Sequence, residues 1–546
     1  MVRSPAFLEQ AADWAVGFRL SDAPPDVIDL SKMQVANIIA AIVAGAASQA
    51  GLNVRSAVRQ SATPGPCTVI PDGDQLALND ALFLHAVYAN ALELDDFHYR
   101  GHLGPASVVV PLTLGERLGA SGADVLRAQI VANEIGGRLG WSISAEVRHG
   151  HQRSYLLRLA AAAAAGVLLR LDRTHFATAL AIAMTQPDVP LHPGMYSPDT
   201  KVLSAAPSVV EGVRAAFLAQ AGLSAAVDVV EHSAGFYRQF TMHKVVESPY
   251  VQFGEVWCTH ALSFKRYSAC AYAAGTVDAA LTIRRDPRFD LDAVRSIEIA
   301  TQLPALILER LARPHEAGVL TPVNVQFSIL RSVAAALTVG ELRGRQFQPA
   351  AFAEMVPGIH RLEAVSRLVH DWTLTIHQLR GIEDAMPQGG GNSADMLQYY
   401  RTSSAFRRMF GSVRAIGLAD IGRLMLLPAV DRRFFIDRWK RSVVNRLSST
   451  GQPRVNQVGD LRKLSMRMGG RVTVTLADGR VLSAEQIVPN GMAGDPNRMA
   501  MVREKLIEET CEVLGRDRAQ RLLDAIDAMD EAPTLGLLAK ATANPR

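Results

Sequence analysis

The chain has 546 residues, 49% of them hydrophobic and 20% charged, which is a globular composition with room for two or three domain cores. A formal net charge of +4 is nearly neutral at this size and argues against a general nucleic-acid binder, which would be more basic and more clustered. The four cysteines, Cys67, Cys258, Cys270 and Cys511, are scattered without a CxxC pair, so neither a zinc cluster nor a disulfide framework is indicated, and reduced thiols fit a cytoplasmic location.

In chain order, the opening MVRSPAFLEQAADWAVGF is amphipathic and carries acids, unlike a signal peptide. Val35–Ala47 and Leu156–Leu171 are the most apolar runs. Both are expected to fall short of a membrane span and to be buried helices. The six alanines at 160–165 leave room for neighbouring helices to approach closely. Up to about residue 255, apolar residues recur at helical spacing, with helix starts at Ser121-Gly122 and Asp172-Arg173 and a proline-marked loop from Gln186 to Thr200.

Between the helix-like runs Asp80–Leu92 and Ser107–Leu118 lies ALELDDFHYRGHLGPASVVVP. It crowds Glu93, Asp95, Asp96, His98, Arg100 and His102 into one window. Such a window is either a solvated turn with capping acids or a loop that carries chemistry on a rigid scaffold.

After about residue 260 the texture changes. Val294–Thr301 and Trp372–His377 alternate like strands, and Arg471–Leu482 reads as a hairpin around Ala-Asp-Gly. Helical runs such as Phe327–Leu337 interleave with them, so this part is expected to be α+β. Residues 401–467 hold many Arg and Lys, interleaved aromatics, and only the acids Asp420, Asp431, Asp437 and Asp460. An added helical subdomain with a wet basic face accounts for this better than a grip on nucleic acid. From Met499 to about Ala528 the helical pattern returns.

Several blocks then match one family in order: Pro64-Gly65 with Cys67-Thr-Val, Asn79–Asp96 with its double acid, Gly115–Gly122, and His151 followed by the alanine run. They continue with Thr200-Lys201-Val-Leu, Phe264-Lys265-Arg-Tyr267-Ser-Ala-Cys270, Val277-Asp278-Ala-Ala, Gln326-Phe327-Ser328 and the Arg471 hairpin. By these the chain resembles the MmgE/PrpD family, whose members include 2-methylcitrate dehydratase, cis-aconitate decarboxylase and iminodisuccinate epimerase. The resemblance covers most of the chain except roughly 380–468.

It implies a mainly α fold with an α+β part: a large all-helical domain and a smaller α+β lid, with the site between them. The boundaries expected are 1–258 for the helical domain, 259–380 with 468–498 for the lid, 381–467 for the insert and 499–546 for C-terminal helices that rejoin the first domain. It also implies a homodimer working without cofactor or metal on a small carboxylate, away from membranes. The shared chemistry removes a proton next to a carboxylate, then loses water or carbon dioxide, or reprotonates. A lyase is the leading reading; an isomerase or epimerase follows, and then a repurposed scaffold with altered activity.

Such chemistry needs a base, a proton donor and fixed positive charge for the developing anion. At the matching positions, Lys201 and Lys265 are expected carboxylate clamps and His151 a general acid or base. One of Asp95 and Asp96 is a base or orients one, while the other caps the next segment or holds an arginine. Glu93 stands where the decarboxylase branch carries a further acid. Tyr267 is either a phenolic donor or packing. Cys270 matches a cysteine of dehydratase-like members and has no evident activator in sequence. Several positions depart from the family pattern. Gly104-Pro105 replaces a His-Pro, whose place His102 or His98 takes; Ala274 replaces a histidine, Ser204 a histidine, and Arg331 a tyrosine. Arg331 would add a bidentate donor for a different substrate.

Overall fold

The computed structural model describes residues 5–99, 101–142, 153–196, 198–240, 252–312, 319–385 and 460–536, together with 538 and 542. The first half is a stack of helices: α1 (Phe7–Gly17), α2 (Pro25–Ala46), α3 (Gln49–Arg59), α4 (Leu78–Ala91), the single turn α5 (Gly104–Ser107), α6 (Val109–Leu118), α7 (Gly122–Ser142), α8 (Arg153–Leu168), α9 (Arg173–Thr185), α10 (Ala206–Gln220) and the short α11 (Phe236–Phe240). Their starts are set locally. Pro25 occupies the first turn of α2, Ser121 Oγ accepts from the Asp124 N–H at 3.1 Å, and Asp172 accepts from the His175 N–H at 2.9 Å.

Helix α2 outgrows the apolar run expected from sequence. It reaches 22 residues and is long and apolar enough to cross a membrane, as is the stretch Asp199–Gln220. In α2, however, 83% of the apolar window is buried inside the protein, against α4 and a helix from the end of the chain. The alanine run of α8 does what small side chains allow. A Cβ on Gly212 of α10 would stand 2.4 Å from the Arg158 carbonyl and 2.6 Å from the Ala161 Cβ, so the two backbones are nearly in contact there.

Three strands interrupt the stack. β1 (Pro64–Thr68) and β2 (Gln75–Leu76) pair antiparallel, whereas β3 (Asp96–His98) pairs antiparallel with β4 (Leu262–Phe264) from the second half. Beyond β4 the chain runs through α12 (Ala274–Arg284), β5 (Val294–Thr301), α13 (Leu303–Leu311), α14 (Pro322–Gln326), α15 (Ile329–Val339), α16 (Pro349–Ala364), β6 (Ser366–His370) and α17 (Trp372–Glu383). It resumes with β7 (Gly470–Leu476), β8 (Val481–Gln486), α18 (Arg498–Leu514) and α19 (Arg516–Asp527). The strands order β6-β5-β7-β8. β5 and β6 are parallel, joined through α13 to α16, and the other pairs are antiparallel.

The strand expected at 294–301 and the hairpin at 471–482 are found where the alternation placed them. Trp372–His377 is not a strand. Asp371 accepts from the Thr373 N–H at 2.8 Å and caps α17, so the strand ends just before it at His370. Thr375, Gln378, Leu379 and Ile382 then fall at helical spacing on one face. Of the basic insert, 381–385 continue from α17 and 460–467 return in a turn at Leu461–Lys463; residues 386–459 lie outside the described residues. Helix α18 packs along α2, so the C-terminal part rejoins the helical stack.

Candidate active site

The site is assembled where β3 meets β4. Helix α4 ends at Ala91 and the chain turns through Glu93, whose φ of +54° is a left-handed conformation uncommon for a residue with a Cβ. The turn is held from behind. Ser268 Oγ donates to the Leu92 carbonyl at 2.7 Å, and Lys505 Nζ of α18 donates to the Leu94 carbonyl at 2.5 Å and the Lys265 carbonyl at 2.6 Å. The Lys265 N–H then donates to the Asp95 carbonyl at 3.3 Å, which lays residues 93–96 against the residue that follows β4.

Alternation along this segment sends Asp95 and Asp96 to opposite sides. Asp95 joins a buried cluster. Lys265 Nζ lies 2.6 Å from Asp95 Oδ1 and 2.6 Å from Glu93 Oε2, and Lys201 Nζ lies 2.5 Å from Glu93 Oε1. Arg153, the first residue of α8, donates to Asp95 Oδ2 at 2.7 Å and to the Asn90 side-chain oxygen, and stands 3.7 Å from Glu93 Oε1. The Asn90 carbonyl accepts from Lys201, and the Asn90 amide donates to the Lys201 carbonyl at 3.0 Å, fixing that lysine from both ends. His102 Nδ1 completes the set, 3.2 Å from Asp95 Oδ2.

The electrostatics follow from that list. Burial alone would raise Glu93 and Asp95, but Lys201, Lys265 and Arg153 around Glu93, and Lys265, Arg153 and His102 around Asp95, hold both carboxyls below their usual range. Burial pulls Lys201 down to about 8, against the pull of Glu93. For Lys265, burial also lowers the ammonium's pKa, but Asp95 and Glu93 prevail and raise it. Burial, with Arg153 and Lys265 nearby, lowers His102 to about 4, so the imidazole rests neutral. Among the described residues two carboxylates thus face three cations, and the cluster carries a surplus of one positive charge. Such a surplus favours an incoming anion.

The cluster opens on a cavity of about 180 Å³ between the helical stack and the sheet-bearing half. Glu93, His102 and Arg153 line it, as do Tyr196, Cys270 and Phe327. His102 keeps 21% of its side chain exposed, against 0% for Asp95, so the imidazole is the face that the pair presents. Lys201 and Lys265 do not line the cavity. They stand behind the acids, and Lys201 Nζ lies 5.7 Å from the centre of the Phe327 ring. The expectation of lysines reaching directly for a substrate is therefore corrected: the ammonium groups are committed to Glu93, Asp95 and backbone carbonyls.

Other expected residues stand elsewhere. Asp96 accepts from the Gly104 N–H at 3.0 Å at the head of α5, which is the capping role left open for one of the two acids. Burial, with Asp95 adding to it, pushes its carboxyl up to about 7. Gly104 is a packing position: a Cβ there would meet Asp96 Oδ2 at 2.3 Å and Ile38 Cδ1 at 2.4 Å. His98 is fully buried in β3, lowered to about 3 chiefly by burial, and does not line the cavity. Tyr267 donates to Asp278 Oδ1 at 2.5 Å, inside a knot that also receives the Asn490 N–H at 3.0 Å. Arg331 holds Glu363 at 3.0 Å and so ties α15 to α16; it does not line the cavity, which corrects its expected role. Cys270 does line the cavity, but burial, with Glu93 adding to it, pushes its thiol up to about 11, against nucleophilic use. His151 lies outside the described residues. Among the described residues, no group of three or more His, Cys, Asp or Glu is placed to hold a metal ion.

Arg153, Asn90 and Lys505 were not singled out from the sequence. The available signal for Arg153 was a guanidinium two residues past His151, just before an apolar run that contains the six alanines. Lys505 sits among the charges of an amphipathic tail, and only packing shows it to be buried.

Residues 9–248 match the MmgE/PrpD N-terminal domain. Among curated proteins, the chain is 30% identical to the cis-aconitate decarboxylase of Aspergillus terreus over 289 residues, 50% of this chain and 59% of that protein. It is 27% identical to the cis-aconitate decarboxylase-like protein oryM of Aspergillus oryzae over 364 residues, 63% of this chain and 75% of that protein. It is 29% identical to the cis-aconitate decarboxylase of Homo sapiens over 214 residues, 38% of this chain and 44% of that protein. The match to the Aspergillus terreus proteins spans 59% and 58% of their length, under two thirds.

Proposed function

From the premise that this chain belongs to the MmgE/PrpD family, we propose that it is a lyase acting on an unsaturated polycarboxylate of the cis-aconitate kind, with loss of carbon dioxide. One observation carries the reading: a buried, net-positive cluster of Glu93, Asp95, Lys201, Lys265 and Arg153 reaches a cavity through a neutral imidazole.

The chemistry follows from those groups. Among the described residues Arg153 is the cation that lines the cavity, and it binds a substrate carboxylate. When the C–C bond to a departing carboxylate breaks, carbon dioxide leaves without the electron pair. That pair moves through the adjacent C=C bond, which shifts by one carbon, into a remaining carboxylate as an enediolate, which the fixed positive charge of the cluster stabilises. His102 then passes a proton, drawn from solvent, to the carbon beside that carboxylate; in reverse it removes the proton. Asp95 sets the ring orientation and stabilises the imidazolium while it exists. Glu93 positions both lysines, and the lysines keep Glu93 and Asp95 ionised. The division into a helical domain and a lid, the cytoplasmic homodimer, and a part for His151 belong to the same proposal.

The test is incubation with cis-aconitate and its alkyl-substituted homologues in deuterated water, followed by NMR. The expected product lacks one carboxyl and carries one deuterium beside a carboxylate. Deuterium without loss of mass would mark an isomerase, and neither exchange nor product with any of these acids would overturn the reading.

A further inference from the structure

The two sides of the cavity differ in kind. The helical stack supplies Glu93, His102 and Arg153, with the charge cluster behind them. The sheet-bearing half supplies Leu303 and Leu308 of α13, Leu379 and Ile382 of α17, and Met466 and Met468 from the segment leading into β7. No described residue that this half contributes to the lining is ionised. Its polar members are Cys270, Tyr272, Thr375 and Gln378, all uncharged, and the Thr375 hydroxyl already accepts from the Leu303 N–H at 3.1 Å and meets His370 Nε2 at 2.8 Å.

The part of a polycarboxylate that reaches that wall meets no described cation, and burying a further unpaired carboxylate there is strongly unfavourable. An alkyl group fits the same wall without that penalty. There is room for one: a cavity of roughly 150 Å³ holds a benzene ring, and this one measures about 180 Å³. Two methionines in the lining add an adaptable surface, because their unbranched thioethers repack around ligands of differing length.

We propose that the substrate is an amphipathic acid, a polycarboxylate head with an apolar alkyl substituent, the head at Arg153 and His102 and the tail along α13, α17 and the Met466–Met468 segment. This rests on the proposed function for the role of the head, and specifies what that reading leaves open, the chemical class of the remainder.

Calorimetric titration of the full-length protein with succinate and its 2-alkyl derivatives, from methyl to hexyl, tests it. Affinity is expected to climb about threefold to fourfold per methylene until the wall is covered. Arg153→Met is expected to weaken every member by a similar factor, leaving the dependence on chain length. Flat or falling affinity along the series, with methylsuccinate still bound, would overturn the inference and leave the lyase reading standing. Affinities untouched by Arg153→Met would place the acids elsewhere and overturn it too. A steep series accompanied by no turnover of any alkyl-substituted unsaturated acid would keep the ligand class and remove the lyase reading.

Discussion

Lys201 Nζ stands 2.5 Å from Glu93 Oε1, with both side chains buried and the two residues on opposite sides of the alanine-rich helix in the sequence. A buried ion pair is weak evidence of stability but a strong constraint, since removing one partner strands the other. Here the group that loses a partner is the Glu93 carboxylate at the turn that carries the whole cluster, with Lys265 still on its other oxygen.

Lys201→Met is therefore expected to cost about 3 kcal/mol in stability and at least about a hundredfold in kcat/KM. Adding Glu93→Gln is expected to recover part of the stability and none of the activity. A double-mutant cycle by denaturant unfolding, alongside steady-state kinetics, separates the two. Additive stability losses would show that the pair is not coupled.

The pH dependence of hydrogen exchange follows from two shifted groups. Removal of a proton beside the product carboxylate needs neutral His102, whose pKa is lowered to about 4, and protonated Lys201, lowered to about 8. The exchange rate on free enzyme is expected to rise as pH rises through about 4, hold, and fall as pH rises through about 8. His102→Asn removes most of the exchange at every pH. An unchanged rate in that variant would exclude the imidazole as the proton carrier.

Arg153 makes two separate contacts, to Asn90 and to Asp95, with one planar group. A lysine cannot reproduce that fork. Arg153→Lys is expected to raise KM about tenfold with a smaller change in kcat, whereas Arg331→Met, away from the cavity, leaves KM unchanged and lowers thermal stability modestly through loss of Glu363. Kinetics and melting on the two variants check the assignment.

Asp96 supplies a test of the fold rather than of the chemistry. Its carboxyl is raised to about 7 chiefly by burial, so the folded state holds a proton that the unfolded state gives up near 4. The stability this contributes is present in acid and is lost as pH rises through the interval from about 4 to about 7. Asp96→Asn, which keeps the acceptor for the Gly104 N–H, is expected to flatten that slope. Gly104→Ala is expected to destabilise the protein by about 2 to 4 kcal/mol, because the added methyl meets Asp96 and Ile38. Melting temperatures from pH 4 to 8 decide both.

The sequence was legible wherever a property is local. Period and capping placed the helices around Asp172 and Ser121, alternation placed β5, and Asp-Gly placed the β7–β8 turn. The reading failed at Trp372–His377, where six residues alternate by chance and one aspartate cap outweighs the pattern. In the site, the crowded window from Glu93 to His102 and the lysines at 201 and 265 were visible as residue types and as a family pattern.

Which of those groups meet was decided only by tertiary structure. Adjacent residues in a strand point opposite ways, so Asp95 enters the charge cluster and Asp96 caps a helix, a difference that depends on the pairing with β4. Likewise, no spacing reveals that Lys505 is buried beneath the acid loop, that Arg331 braces two helices, or that half of the cavity wall is apolar. Local chemistry fixes what each segment becomes; distance between remote segments fixes what they do together.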